Sequence, residues 1–234
     1  MNKLIVVTGA TKGIGRAISE KFAERGFDVV ASARNKKDLS EMKAAIEGKF
    51  SNLVHVQSVD MSVKEEVRKF SDFILGLGRP VDVLVNNAGY FIPGEITTEE
   101  DGILESTIQG NLYSAYFMTR GIIDNMKSGK DGHIFNMCSI ASLKAYPNGG
   151  SYAISKFALL GFSKCLREEL KPFQIRVTAV MPGATKTASW EGTSLPDERF
   201  IKVEDIAETV YGAYSLSKRS VVEEIIIRPQ LGDI

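Results

Sequence analysis

Short runs rich in Val and Ile recur along the chain and alternate with longer segments in which apolar residues return every three or four positions. The short runs predict strands over residues 4–7, 28–33, 53–59, 81–85, 133–137, 175–181 and 223–227. The longer segments predict helices over 13–25, 37–47, 62–75, 101–127, 151–170 and 203–217. Few of the strand runs alternate apolar with polar residues, so the sheet they build is covered on both faces. Asp60 with Ser62, and Thr97 with Glu100, have the residue types of helix starts. Only 183–200, which contains Gly192 and Pro196, lacks a clear period, and it reads as a loop with a short flap at about 184–200. No Pro/Gly/Ser linker, repeat or low-complexity stretch interrupts the pattern. The expectation is a single α/β domain over residues 1–234, doubly wound around a seven-stranded parallel sheet with helices on both faces.

Charge and cysteine usage narrow the partners. The 234 residues carry 29 Lys plus Arg against 29 Asp plus Glu, so no net charge draws the chain to nucleic acid or to an anionic membrane. Cys138 and Cys165 have neither metal-ligand nor CxxC spacing, which excludes a disulfide scaffold and a zinc module and implies a reducing, cytoplasmic setting without a metal. No apolar run reaches the roughly 18 residues of a membrane helix, and the start of the chain has no export signal.

Candidate chemistry begins where the first strand ends. In LIVVTGATKGIG the strand passes into Gly9, Gly13 and Gly15, with Thr11, Lys12 and Ile14 between them and helical sequence beyond. Glycines allow positive φ and close approach, and a helix N-terminus offers free N–H groups, so the segment is built to cradle a phosphate. It lacks the GKS or GKT ending of a nucleoside-triphosphate loop, which disfavours a kinase or ATPase. In this architecture Gly9, Arg34, Asp60, Asn87 and Pro182 converge on one crevice. The second strand ends in Ala33 and Arg34 where a dinucleotide's adenosine ribose would lie. Asp28 is about 16 Å back along that strand and cannot reach. Arg34, helped by Lys12, suits a 2′-phosphate and therefore favours NADP(H) over NAD(H). Tyr152 and Lys156 stand one helical turn apart, and an ammonium beside a phenol favours the phenolate.

Taken in order, these motifs resemble the short-chain dehydrogenase/reductase family over nearly the whole chain. TGATKGIG matches its TGxxxGxG turn, NNAG at 86–89 its fourth-strand motif, YAISK its YxxxK and PGATKT at 182–187 its PGxxxT. Ser139, thirteen residues before Tyr152, and Asn111 in IQGNLY complete the pattern. The resemblance implies a Rossmann-type domain with a catalytic set of Asn111, Ser139, Tyr152 and Lys156. Tyr152 would exchange the proton, Ser139 would hold the substrate oxygen, Lys156 would bind the nicotinamide ribose and lower the tyrosine pKa, and Asn111 would fix a water in the proton path. It further implies cofactor contacts from Asp60, Met61, Asn87, Ala88, Gly89, Pro182, Gly183, Thr185 and Thr187, and pairing through the helices of Asn111 and Tyr152 into a homodimer or homotetramer. Tyr90 and Trp190 are candidates for the substrate mouth, whereas His55, His133 and Cys138 read as packed residues.

The expected activity is hydride transfer between NADP(H) and a small carbonyl or secondary alcohol, of the carbonyl or 3-hydroxy-acid reductase type. The tail VVEEIIIRPQLGDI is more similar to those members than to the acyl-carrier-protein reductases. Reduction of 3-oxoacyl thioesters is the alternative enzyme reading, and an NADP(H)-sensing module without turnover is the alternative from another class.

Overall fold

Neighbouring residues of the first strand, β1 (Leu4–Thr8), enter different cores: Ile5 and Val7 join Ile18, Phe22 and Val210, while Leu4 and Val6 join Val67, Phe70 and Met118. Burial on both sides is why the strand runs show no polar alternation. The computed structural model describes every residue except 188, 189 and 191, three positions of the expected flap that lie outside the described residues. The remaining strands are β2 (Asp28–Ala33), β3 (Val54–Ser58), β4 (Val83–Asn86), β5 (Gly132–Met137), β6 (Ile175–Pro182) and β7 (Glu224–Ile227). They form one seven-stranded sheet in the order β3-β2-β1-β4-β5-β6-β7. Every neighbouring pair is parallel, with Val7 opposite Ala31 on one side and Val85 on the other.

Helices α1 (Gly13–Glu24), α2 (Lys36–Lys49) and α7 (Val203–Ser215) cover one face, and α3 (Lys64–Leu75), α5 (Ser114–Gly129) and α6 (Gly150–Leu170) the other. From β1 the chain first builds outward through β2 and β3, then returns to β4 on the opposite side. That reversal opens a crevice beyond the carboxyl ends of β1 and β4, where doubly wound sheets bind their ligands.

Three expectations about helices are corrected. The single helix over 101–127 is interrupted: α4 (Ile103–Ile108) passes through a π-helical turn, Gln109–Tyr113, into α5. Thr97 with Glu100 starts no helix, because α4 begins after Gly102, whose φ of 92° is left-handed. Likewise Asp60 does not cap α3. Its Oδ1 accepts from Ser62 N at 2.9 Å and Ser62 Oγ at 2.6 Å, closing a turn ahead of the helix, whose cap position is Val63.

His133 is packed, as expected, and is fully buried on β5. Thr178 Oγ1 donates to Val222 O at 2.6 Å, so it accepts from His133 Nε2 at 2.7 Å. This fixes the ring proton on Nε2 and leaves Nδ1 buried without a partner. Burial holds the imidazole well below its ordinary value of 6.5, with the Arg176 charge acting in the same direction. Between those two values the unfolded chain binds a proton that the folded chain refuses, so stability falls as pH drops below 6.5. His133→Gln keeps a donor toward Thr178 and removes up to about 1.4 kcal/mol per pH unit of that acid sensitivity. Thermal unfolding of both proteins from pH 7.5 to 5 checks it, and parallel curves count against it.

Candidate active site

The glycine turn owes its shape to contacts beyond itself. Gly9 and Gly13 have φ of 64° and 53°, left-handed values that side chains resist. Asn87, at the end of β4, donates from Nδ2 to the carbonyls of Thr8 and Gly9, both at 2.9 Å. A Cβ on Gly15 would overlap that amide, so the third glycine is required by the bridge from β4 to the turn. Thr8 Oγ1 accepts from the N–H groups of Asn87 and Ala88, both at 3.0 Å. Lys12, at the cap position of α1, makes no side-chain cap, and the first N–H groups of the helix face the crevice.

A cavity of about 600 Å³ lies over this turn. Its wall includes Gly9, Lys12, Gly13, Ile14, Asn87 and Gly89 on the cradle side and Pro182, Gly183, Thr185 and Thr187 after β6. Ser139, Tyr152 and Lys156 line the same cavity, as do the two mouth candidates Tyr90 and Trp190. The spacing in α6 brings the cation to the phenol: Lys156 Nζ lies 5.7 Å from the centre of the Tyr152 ring. Lys156 is buried and donates to Met137 O at 2.7 Å. Burial lowers its pKa to about 8, with Cys138 opposing the shift.

The expected lowering of the tyrosine pKa by this lysine is not what the structure shows. Burial raises the Tyr152 phenol, Ser139 pulls it back, and Lys156 is not among the groups that shift it. The desolvation that brings the two side chains together disfavours charge on both of them. Phe91 meets the Tyr152 ring edge-on, with centroids 4.9 Å apart, and fixes its orientation. Ser139 Oγ accepts from Ala141 N at 3.1 Å, and Ser142 Oγ accepts from Ser139 N at 3.3 Å. Ser139 thus takes a backbone proton, and its own hydroxyl hydrogen is left to donate toward the Tyr152 phenol, the interaction that pulls the phenol pKa back.

Several expected residues stand outside the cavity wall. Asn111 is buried behind it: its Nδ2 donates to Tyr90 O and Ser155 Oγ, each at 3.0 Å, and its Oδ1 accepts from Tyr90 N at 2.8 Å. Thr11, Gly15 and Ala88 belong to the framework of the turn. Arg34 is exposed at the end of β2, near enough to the Asp60 carboxylate to help lower its pKa, behind the larger effect of Ser62. Met61 is buried against Ser32, whose Oγ lies 3.7 Å from its sulfur. Lys12 is exposed and pairs with Asp38 at 3.6 Å.

Sequence reasoning missed Phe91, Tyr146 and Asp233, all of which line the cavity. Phe91 and Tyr146 lie close in sequence to NNAG and YAISK and were within reach of a search around those motifs. Asp233 carries no local signal. It arrives with the tail and is held by Arg228 at 2.9 Å and Lys144 at 3.3 Å through Oδ2, while Oδ1 is buried without a partner among the described residues.

These features define a doubly wound nucleotide-binding domain with a Ser-Tyr-Lys set at its crevice. The sequence profile of the short chain dehydrogenase family matches residues 3–197. The chain belongs to that family and is an oxidoreductase. It is 35% identical to a sepiapterin reductase of Chlorobaculum tepidum across all of this chain and 99% of the relative. Among solved structures it resembles an alcohol dehydrogenase of Thermococcus sibiricus complexed with 5-hydroxy-NADP, with 28% identity, 97% of both chains covered and a TM-score of 0.91. The L-sorbose reductase of Gluconobacter frateurii, complexed with NADPH and L-sorbose, is similar at 26% identity over 97% of this chain and 95% of its own, with a TM-score of 0.91.

Proposed function

We propose that the protein is an NADP(H)-dependent carbonyl reductase. The observation that carries the reading is the meeting of Tyr152, Lys156 and Ser139 with the glycine turn in one cavity. The cradle suits a dinucleotide: a Cβ on Gly13 would come within 3.1 Å of Thr187 Cγ2, and one on Gly9 within 3.1 Å of Ala88 Cα. The open α1 N-terminus would take the pyrophosphate, and Arg34 with Lys12 the 2′-phosphate. The NADP-type complexes of the two solved relatives support this choice.

NADPH, when bound, supplies the hydride that reaches the carbonyl carbon. Ser139 Oγ donates to the carbonyl oxygen and polarises it. Tyr152 gives that oxygen its proton, and the raised phenol pKa keeps the proton in place until then. Lys156 uses one N–H on Met137 O, so two remain for ribose hydroxyls. Both Nδ2 hydrogens of Asn111 are taken by Tyr90 O and Ser155 Oγ, so a water that it fixes in the proton path would be held by one of its carbonyl oxygens.

A second reading names the substrate more closely. Phe91, Tyr146 and Trp190 give the cavity aromatic walls, and Asp233 Oδ1 has no partner among the described residues. A flat heterocycle with N–H donors and a ketone side chain fits such walls, and the relative named as a sepiapterin reductase supports it. Oxidation of NADPH and NADH, followed with sepiapterin, small ketones and diketones, and acetoacetyl thioesters, tests both readings. Faster turnover of the thioesters would assign the site to 3-oxoacyl reduction. Cofactor binding without turnover of any carbonyl would make the protein a sensor.

The α5–α6 face carries exposed Tyr113, Tyr116, Ile154 and Phe157, and we propose that it pairs with a second copy of the chain. Sedimentation at micromolar concentration is expected to return at least a dimer, and a monomer mass refutes the pairing.

A further inference from the structure

Tyr90 lines the cavity, yet its hydroxyl points away from it and donates to the carbonyl of Ser106 at 2.5 Å. Its main chain makes two bonds to Asn111, one from Tyr90 N to Oδ1 and one from Nδ2 to Tyr90 O. Its ring covers Gly110 so closely that any Cβ there would overlap it. All of these contacts fall on residues 106–111, where α4 gives way to the π-helical turn.

A π-turn is rare because it breaks the regular i to i−4 ladder and strands carbonyls. Here side-chain hydroxyls serve the disturbed region. Tyr90 reaches the Ser106 carbonyl, which otherwise shares the Gln109 N–H with Glu105, and Ser114 Oγ donates to Gly110 O at 2.6 Å. The turn in turn presents the Asn111 amide to Ser155 Oγ at 3.0 Å, and Ser155 Oγ donates to Tyr152 O at 2.7 Å. A continuous hydrogen-bonded chain therefore runs from the Tyr90 loop to the turn of α6 that bears Tyr152 and Lys156.

We propose that Tyr90 is a positioning residue: its phenol locks the π-turn and, through Asn111 and Ser155, sets the catalytic end of α6, and it does not bind substrate. The proposal rests on the carbonyl reductase reading for its kinetic consequences, but the lock itself does not depend on turnover.

Tyr90→Phe removes the hydroxyl while leaving the ring on Gly110 and both main-chain bonds. Loss of one such bond is expected to lower kcat about fivefold. The KM for the carbonyl should stay within about twofold, because no substrate contact is lost. Amide exchange across residues 106–114 should quicken by a similar factor in the purified full chain. In an Asn111→Ala background the same substitution should lower kcat no further, since its effect passes through Asn111. A raised KM with unchanged kcat, an equal loss in both backgrounds, or unchanged exchange would overturn the proposal. Wild-type protein inactive on every carbonyl would defeat the reductase reading instead, and the exchange measurement would still decide whether Tyr90 locks the turn.

Discussion

Tyr152→Phe is expected to lower NADPH-dependent carbonyl turnover about 10³-fold, or roughly 4 kcal/mol in barrier, while leaving NADPH affinity and fold intact. Phenylalanine keeps the ring that Phe91 packs against edge-on, so the substitution removes one proton donor and little else. The loss is large because the two neighbouring groups have other roles: Ser139 holds only the hydrogen that polarises the substrate, and Lys156 gives one of its N–H bonds to Met137 O. Turnover at neutral pH should fall in kcat with KM nearly unchanged, the signature of an interaction made in the transition state. A variant within tenfold of wild type would show that the proton comes from elsewhere and would remove the basis of the mechanism. The phenol's position above its ordinary range has a further consequence. The phenol stays protonated past the point where Lys156, at about 8, loses its charge, so the first alkaline fall in reduction belongs to the lysine.

How far the residues disclosed this site depends on whether the relevant interaction is local. The strands and the glycine turn were legible because each is specified by neighbours in sequence: an apolar run, then glycines, then helical period. Tyr152 and Lys156 were legible because four residues make one helical turn. The π-turn was not, since its Asn111 is bonded to Tyr90 across 21 positions and nothing within 101–127 announces a break. Asp233 was hidden for the same reason, because the tail's path into the cavity depends on Lys144 and Arg228. The burial that raises the Tyr152 phenol was not legible, because a cation at helical spacing is visible in sequence and burial is not. Asp60 has the residue type of a cap, yet the hydroxyl and N–H of Ser62 claim its carboxylate first.

Arg34→Asp is expected to shift the ratio of NADPH to NADH efficiency by about 10²-fold toward NADH. Arg34 is exposed at the end of β2, outside the cavity that holds Tyr152, so the change should fall on cofactor KM and spare kcat. Each charge-assisted bond to a phosphate is worth about 1.5–3 kcal/mol, and solvent exposure places this one toward the lower end. The aspartate adds repulsion against a 2′-phosphate and supplies an acceptor for a 2′-hydroxyl, so both cofactors move, in opposite directions. Lys12→Ala should act more weakly, because Lys12 already shares its charge with Asp38 at 3.6 Å. Salt gives an independent check: in the wild type raised ionic strength should increase the KM for NADPH and leave that for NADH nearly constant, and in Arg34→Asp the difference should vanish. An unchanged cofactor ratio in the variant would mean that the 2′-phosphate is bound by other groups, and the preference inferred from Arg34 would fall while the Tyr152 mechanism stood.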